Sequence, residues 1–553
     1  MLLTGAQIIA EVLLEQEVDT VFGYPGGSVL NIYDALYDYR DKIHHYMTAH
    51  EQGAAHAADG YARATGRTGV VIATSGPGAT NIVTGVATAY MDSVPMVAIT
   101  GNVNTEQIGK DSFQEVFIGG ITMSVTKHNY VVRRIEDLAP TLRRAFAIAQ
   151  EGRKGPVLVD IPKNITAARL EFAREEPIRP VSESRVYPNL NEVAELINKA
   201  RRPMIYFGGG VRLSGAGAKL RELIEKADIP AAYTIMAAGI LGYEDRNNLG
   251  LLGMHGCLTA NRAASEADVI LAIGTRFSDR VALNPKEFGA QARIVHIDID
   301  ASEVNKNVKV NECLIGDARD ILTQLLPLVR ETKHEEWMQK MDEWRKEDYR
   351  PEDSEEKLLP HQIIRLLCDM AGEDAYYVTD VGQHQMWTAQ YLKRIAPGHF
   401  LTSGGLGTMG YGYGAAIGAK IGIGNGQPVL HITGDGSFHM NLNEACTAVS
   451  YDVPIITVIL NNAVLGMVRQ WQTVFYQGHY SSTEPERRTD YVKVAEGFGA
   501  RGYHCETLEE LKAAMREALK QTGPVWIECV IDREEKVLPM IPAGGTIDDI
   551  MLD

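Results

Sequence analysis

Gly434-Asp435-Gly436, then the twenty-four residues 437–460, then Asn461-Asn462, is the stretch whose reading decides the fold. The run 428–433, Pro-Val-Leu-His-Ile-Thr, is apolar and β-branched enough for a buried parallel strand. Asp435 then falls at the carboxyl end of that strand, the edge where α/β sheets bind ligands. Asn443-Glu444 is expected to open a helix that stops near Asp452-Val453-Pro454, since proline cannot continue it. A second buried strand over 455–460 returns Asn461-Asn462 to the same edge. A carboxylate, an amide oxygen and one or two backbone carbonyls form an incomplete oxygen shell of the kind Mg²⁺ accepts, with a phosphate completing the octahedron. Either half alone is an ordinary turn; the spacing is what turns both oxygens toward one cavity.

Upstream, the segment from His50 to Arg63 is rich in alanine and glycine and reads as a tightly packed helix with Glu51 at its N-terminal edge. A glutamate in a first turn commonly just complements the helix dipole. Its neighbours add weight: residues 70–74 read as a strand, followed by the glycine-rich turn and helix start Ser75-Gly76-Pro77-Gly78-Ala79-Thr80-Asn81, which brings backbone N–H groups to a sheet edge.

These features together resemble the thiamine-diphosphate (ThDP) enzymes. Over nearly the whole chain the sequence resembles the FAD-containing catalytic subunits of the acetohydroxyacid (acetolactate) synthase family. The matching segments are 22–27, 50–54, 74–81, 113–115, 155–163, 252–256, 274–280, 382–387, 403–412, 466–471 and 537–542. Ser278 stands where the family often has a second Asp, and Gly436 where many members have Ala. The resemblance implies a transferase of branched-chain amino acid biosynthesis. Such an enzyme decarboxylates pyruvate on ThDP and joins the two-carbon fragment to a second pyruvate or to 2-ketobutyrate.

It also implies residue roles. Asp435, Asn462 and the carbonyl of Val464 would hold Mg²⁺. Glu51, Thr74, Pro77, Asn81, Gln114, Gly382, Gln383, His384, Gly407, Met409, Gly434, Gly436 and Ser437 would complete the ThDP site, Glu51 acting as the proton relay to the pyrimidine. Gln114, Lys163, Arg280, Met467 and Trp471 would line the substrate cavity, with Arg280 gripping a carboxylate through its guanidinium fork. FAD would contact Arg153, Gly208, Gly209, Gly210, Thr234, Ile235, Met254, His255, Gly274, Arg276, Arg280, Asp298, Asp317 and Ala318. In this family the sites combine the first block of one chain with the third of another, so a homodimer or homotetramer is expected, with a regulatory small subunit as partner.

Gly208-Gly209-Gly210 follows a strand but lacks G-x-G-x-x-G, so by itself it supports no nicotinamide site. Three doubly wound parallel-sheet α/β domains are expected: a pyrimidine-binding one over 1–165, a central FAD-binding one over 189–335 and a diphosphate-binding one over 357–535. The tail 536–553 would serve as a lid. The charged, proline-punctuated stretch 171–188 reads as a linker, and 333–356, with Trp337 and Trp344 two helical turns apart, as a crossover helix.

Composition agrees with a large enzyme: 553 residues suffice for about three domains at ~150 residues each. The net charge of −17 and the lack of a basic cluster exclude nucleic acid. No apolar run reaches the ~20 residues of a membrane span, and no basic leader opens the chain, so a cytoplasmic location is expected. Six scattered cysteines without C-x-x-C spacing read as reduced thiols.

Three rivals fit parts of this pattern, the first a decarboxylase that releases aldehyde and has less reason to keep a second carboxylate site. An FAD-linked pyruvate oxidase would share both cofactor sites, but Arg280 and Trp471 favour carboligation. A catalytically silent cofactor-binding paralogue is opposed by the intact Glu51, Asp435 and Asn462.

Overall fold

The computed structural model describes residues 1–178, 185–424 and 426–553. Part of the linker expected over 171–188 therefore lies outside the described residues. Three six-stranded, all-parallel sheets carry the fold. The first contains β1 (Thr20–Tyr24), β2 (His44–Met47), β3 (Gly69–Ala73), β4 (Met96–Asn102), β5 (His128–Val131) and β6 (Pro156–Pro162), in the order β2-β1-β3-β4-β6-β5. The second contains β7 (Pro203–Phe207), β8 (Ala231–Tyr233), β9 (Asn248–Leu251), β10 (Val269–Ile273), β11 (Arg293–Asp298) and β12 (Glu312–Ile315), in the order β9-β8-β7-β10-β11-β12. The third contains β13 (Tyr376–Thr379), β14 (Phe400–Leu401), β15 (Val429–Gly434), β16 (Ile455–Asn461), β17 (Arg501–Cys505) and β18 (Val525–Val530), in the order β14-β13-β15-β16-β18-β17. The first and third sheets thus share one topology, while the second has the strand order of dinucleotide-binding sheets. Helices cover both faces, and this is why strands such as Val70-Val71-Ile72 and Val269-Ile270-Leu271 are apolar throughout rather than alternating.

Two segments differ from the sequence reading. The helix expected from Asn443 begins eight residues earlier, at Asp435: Asp435–Asn441 is helical, Leu442–Glu444 is a 3₁₀ turn, and Ala445–Ser450 is helical again. Extended Gly434 caps the first of these, and Asp435 in its first turn complements the helix dipole. The supposed crossover helix is confined to Glu335–Trp344. It belongs to the second domain's core, where Trp337 is buried, donates Nε1–H to the Pro203 carbonyl at 3.0 Å and meets Trp344 edge-on at 5.7 Å. The chain's last segment is packed against the body of the protein: Val537 to Ile541 are buried, Met540 bridges Met551, and the Ile541 N–H donates to the Met254 carbonyl at 2.8 Å.

Two helices join the first and third domains, α1 (Glu51–Thr65) and α2 (Tyr411–Ile423). Their small residues allow backbones to touch, as a Cβ on Gly60 or Gly418 would overlap the other helix's main chain. A buried ionic hub pins the pair. Arg63 reaches Asp59 at 2.6 Å, Asp92 at 2.8 Å and the Thr402 carbonyl at 3.0 Å. Tyr411 donates to Asp59 at 2.7 Å, and Asp92 accepts from the Gly404 and Gly405 N–H groups at 3.1 and 2.7 Å. With each charged group hydrogen-bonded the hub is tolerated; losing one partner of such a buried pair typically costs about 3–5 kcal/mol.

Candidate cofactor and active site

In sheets of order 2-1-3-4, the crevice for ligands opens where the chain reverses direction, between the first and third strands. In the third domain those strands are β13 and β15, and the loops after them carry Gly382, Gln383 and His384 on one side and Asp435 on the other. Asp435 is 3% exposed and receives no side-chain hydrogen bond among the described residues. Burial pushes its carboxyl up to about 6, against the pull of Arg487 and nearby backbone N–H groups. Buried carboxylates left so poorly compensated are found where a cation binds.

Asn462, delivered by β16, is turned by its neighbours. Its Nδ2 donates to Gln383 Oε1 at 3.1 Å, and Gln383 in turn donates to Gln470 Oε1 at 3.1 Å and the Glu535 carbonyl at 2.8 Å. That chain commits the amide nitrogen and leaves Oδ1, which accepts from the Val464 N–H at 3.3 Å, as the ligating atom. Among the described residues no group of three or more His, Cys, Asp or Glu is placed to hold a metal. The Asp435, Asn462 and Val464 set contains one such residue and relies on amide and carbonyl oxygens, which suits a hard cation that keeps phosphate oxygens as further ligands.

His384 packs its ring against Gly434, where a Cβ would lie 2.8 Å from Nδ1. Its Nε2 is buried without a partner, and burial pushes the ring down to about 4, so it is neutral. A buried polar atom left unpaired costs about 1–3 kcal/mol, and a phosphate oxygen would relieve it. Ser437 Oγ accepts from the Gly410 N–H at 3.0 Å, tying the metal loop to Gly407 and half-buried Met409. These observations fit a metal diphosphate.

The first sheet's crevice, between β1 and β3, gathers a second set. Glu51 opens α1 half-buried and accepts from Asn81 Nδ2 at 2.9 Å. The Thr74 and Ser28 hydroxyls lie 2.9 Å apart, and Pro77 starts the short helix that ends at Asn81. Gln114, at a left-handed φ of 58°, sits against Gly76, and Lys163 is exposed just after β6.

A third set lies at the contact of the second and third domains. The Arg280 guanidinium stands 5.6 Å from the Trp471 ring centroid, and Trp471 meets Phe475 edge-on at 5.7 Å on the helix that also carries half-buried Met467, α3 (Gly466–Phe475). Trp471 Nε1 is buried without a partner, and among the described residues the acid paired with Arg280 is Asp279 at 3.5 Å. Among the described residues no hydrogen bond, ion pair or ring contact joins the Glu51, Gln114 and Lys163 set to the Asp435, Arg280 and Trp471 set. The residues singled out from the sequence therefore form two half-sites within one chain.

The second sheet reverses between β7 and β10, and the loops there hold Gly208, Gly209, Gly210, Gly274 and Thr275. A Cβ on Gly208 or Gly210 would lie 2.6 Å from Gly274 atoms, so two of these glycines are required by turn-on-turn packing alone. Thr275 Oγ1 is buried without a partner, and burial raises Asp298 to about 6. Both suit hydroxyl and phosphate groups of a dinucleotide. Arg153 is already engaged by Glu303 at 2.8 Å and Asp300 at 3.2 Å, and Asp317 caps a helix by accepting from the Arg319 N–H at 2.9 Å. Buried Met254 and His255, its ring pushed down to about 4 by burial, face the tail through the Pro539 carbonyl at 3.4 Å. Thr234 and Ile235 are half-buried in the turn after β8, Arg276 lies near Gly405, and Ala318 opens the helix that Asp317 caps.

The sequence reading passed over Asp380. Buried beneath the diphosphate crevice, it is driven up by desolvation but held at about 2 by His431, with which it shares a 3.2 Å contact, by the Gly412 N–H and by Thr433. The signal was present, since Asp380 ends a strand as Asp435 does.

Residues 3–121, 190–325 and 380–529 match, in that order, the families described as thiamine pyrophosphate enzyme N-terminal TPP binding domain, central domain and C-terminal TPP binding domain. The chain is similar to the mitochondrial acetolactate synthase catalytic subunit of Saccharomyces cerevisiae, 42% identical over 580 residues covering 99% of this chain and 84% of that one. It is 41% identical over 567 residues to the probable acetolactate synthase large subunit of Methanocaldococcus jannaschii, covering 99% and 95%. With the acetolactate synthase isozyme 3 large subunit of Escherichia coli the identity is 40% over 568 residues, covering 100% and 99%.

Proposed function

The chain belongs to the acetolactate synthase large-subunit family of thiamine pyrophosphate enzymes, and on that premise we propose that it joins two 2-ketoacids with loss of carbon dioxide. The products would be 2-acetolactate from two pyruvates and 2-aceto-2-hydroxybutyrate from pyruvate and 2-ketobutyrate. The observation that carries carboligation is the Arg280 guanidinium over the Trp471 face, a carboxylate fork beside an apolar wall at the edge of the metal crevice. ThDP, when bound, supplies the electron sink that lets carbon dioxide leave.

The chain's own residues do the rest. Asp435, Asn462 and the Val464 carbonyl would hold Mg²⁺ against the diphosphate, and His384 Nε2 would meet a phosphate oxygen. Glu51, steadied by Asn81, would pass a proton to and from the aminopyrimidine. Arg280 would bind the carboxylate of the second ketoacid, while Met467 and Trp471 keep water from the reacting carbon. Glu51, Gln114 and Lys163 would approach from a second copy. The two half-sites support this, as do exposed apolar side chains on both domains, with Phe113 88% and Phe117 69% exposed on the first and Val468 52% and Tyr476 62% on the third. FAD would occupy the reversal of the second sheet. The relatives' names, large and catalytic subunit, support a regulatory partner. Six cysteines, all free, support a reducing cytoplasm, and no helix among the described residues is long and apolar enough to cross a membrane.

Incubating the protein with pyruvate, Mg²⁺ and ThDP, and assaying acetolactate, acetaldehyde and acetyl phosphate, tests the reading. Acetolactate is the expected product, and Glu51→Gln is expected to bind ThDP but lose roughly 10²-fold or more in turnover, the scale of a general acid–base group. Acetaldehyde or acetyl phosphate as the main product, or near-normal turnover in the variant, overturns it.

A further inference from the structure

Glu444 is fully buried and lies outside the metal crevice. It sits at the end of the 3₁₀ turn that follows the metal-loop helix, on the third domain, yet its hydrogen bonds cross to the first. Oε2 accepts from the Ala49 N–H at 3.1 Å and from the Thr447 hydroxyl at 2.7 Å, and Oε1 accepts from the His50 N–H at 3.0 Å. Ala49 and His50 are the two residues immediately before Glu51. The entry to α1 is closed from the other side as well: the Thr48 hydroxyl donates to the His50 carbonyl at 2.9 Å, and the His50 ring accepts from the Gln52 N–H at 3.1 Å. Gly53 completes the seat, since a Cβ there would overlap the Glu444 carboxylate.

We propose that Glu444 is a positioning residue for Glu51: it clamps the N-terminus of α1 from the neighbouring domain and so sets where the Glu51 carboxylate stands. The proposal rests on the reading of Glu51 as the proton relay. A helix start normally satisfies its free N–H groups with its own cap residue or with water. Here a carboxylate contributed from nearly four hundred residues away along the chain, and excluded from water, takes the N–H of the cap residue His50 and that of Ala49 just ahead of it. Charge-assisted bonds of this kind are shorter and stronger than neutral ones, and two of them on adjacent backbone atoms leave the helix start little freedom to rotate. Proton transfer is steep in distance, and a displacement of about 1 Å costs up to ~10²-fold in rate. Only a group that keeps the carboxylate's two acceptors can hold this place: the amide of Gln offers one oxygen, and its NH₂ would face a backbone N–H, donor against donor.

The test uses the full-length protein with ThDP and Mg²⁺. The exchange of the cofactor's thiazolium C2 proton for deuterium, followed by NMR after acid quench, reads the relay without turnover. Glu444→Gln is expected to slow that exchange and kcat together by about 10- to 100-fold, while the ThDP dissociation constant and the pyruvate KM stay within about threefold; the buried donor-against-donor pair lowers Tm as well, so the exchange rate and not Tm is the deciding readout. Gly53→Ala, which pushes on the same carboxylate from the other side, is expected to reproduce the exchange defect and covers the case in which Glu444→Gln does not fold. In the double variant with Glu51→Gln, the Glu444 change should add nothing further. Normal exchange in Glu444→Gln, or a defect that appears only as lost ThDP affinity and lowered Tm, overturns the proposal and leaves Glu444 a domain tie. Normal exchange in Glu51→Gln instead removes the relay reading itself, a separate outcome visible in the same series.

Discussion

Replacing Asp435 by Asn is expected to move stability and cofactor binding in opposite directions. The carboxylate is 3% exposed, and burial lifts it from its ordinary 3.8 to about 6. At about 1.36 kcal/mol per pH unit, holding this group ionised at pH 7.5 costs the cofactor-free protein up to about 3 kcal/mol. The sign follows from the raised folded-state value: any stability the group lends is present in full below about pH 4 and is lost as the pH rises through about 6. Asp435→Asn removes the penalty, so the cofactor-free variant should unfold at a higher temperature than the parent at pH 7.5. For a unit of 150–250 residues 1 kcal/mol moves Tm by about 2–4 °C, so an upper bound is about 6–12 °C. The gap should close as the pH is lowered toward 4. Conversely, Mg²⁺ with ThDP at a hundred times its dissociation constant should stabilise the parent by about 2.7 kcal/mol, and the variant by almost nothing, because the only carboxylate in the oxygen shell is gone. Thermal unfolding with and without Mg²⁺ and ThDP, at several pH values, measures all of this. A variant that is less stable without cofactor, or that keeps the ligand-induced rise, refutes the assignment of Asp435 as a metal-ligating, destabilising carboxylate.

Trp471→Leu should leave acetolactate formation from pyruvate largely intact while lowering the acetohydroxybutyrate share in mixed-substrate competition, since one methyl against an apolar wall is worth about 1–3 kcal/mol; an unchanged product ratio with collapsed cofactor binding would make the indole a packing residue. Asp160, buried between Thr100 Oγ1 at 2.7 Å and Asn102 Nδ2 at 2.5 Å, is pushed up to about 7 by desolvation, so its contribution to stability is lost as the pH rises from about 4 through 7. Asp160→Asn should therefore flatten the fall in Tm across that window and matter least near pH 4, and a variant with the parent's pH profile would remove Asp160 as its source.

The strands were legible because they are buried on both faces: the runs at 203–207 and 269–273 coincide with β7 and β10, and those at 428–433 and 455–460 lie within one residue of β15 and β16. Runs of Val, Ile and Leu carry that signal locally. The helix at Asp435–Asn441 was not legible, because Gly436, Ser437 and Asn441 are weak helix formers and tertiary packing holds them in place. Trp337 read as part of a connection because two aromatics a fixed distance apart do not say which core they enter.

The metal-loop spacing, the residue types at each proposed contact and the division into three α/β units were determined by the sequence alone, since each is written in neighbouring residues. Only the tertiary structure decided that the second sheet has the dinucleotide strand order, that Glu51 and Asp435 fall in separate half-sites, that Arg280 meets Trp471, and that Glu444 reaches the backbone ahead of Glu51. Each of these joins segments far apart in the chain through pairing and packing, and periodicity or spacing along the sequence records which face a residue presents, not what that face will meet.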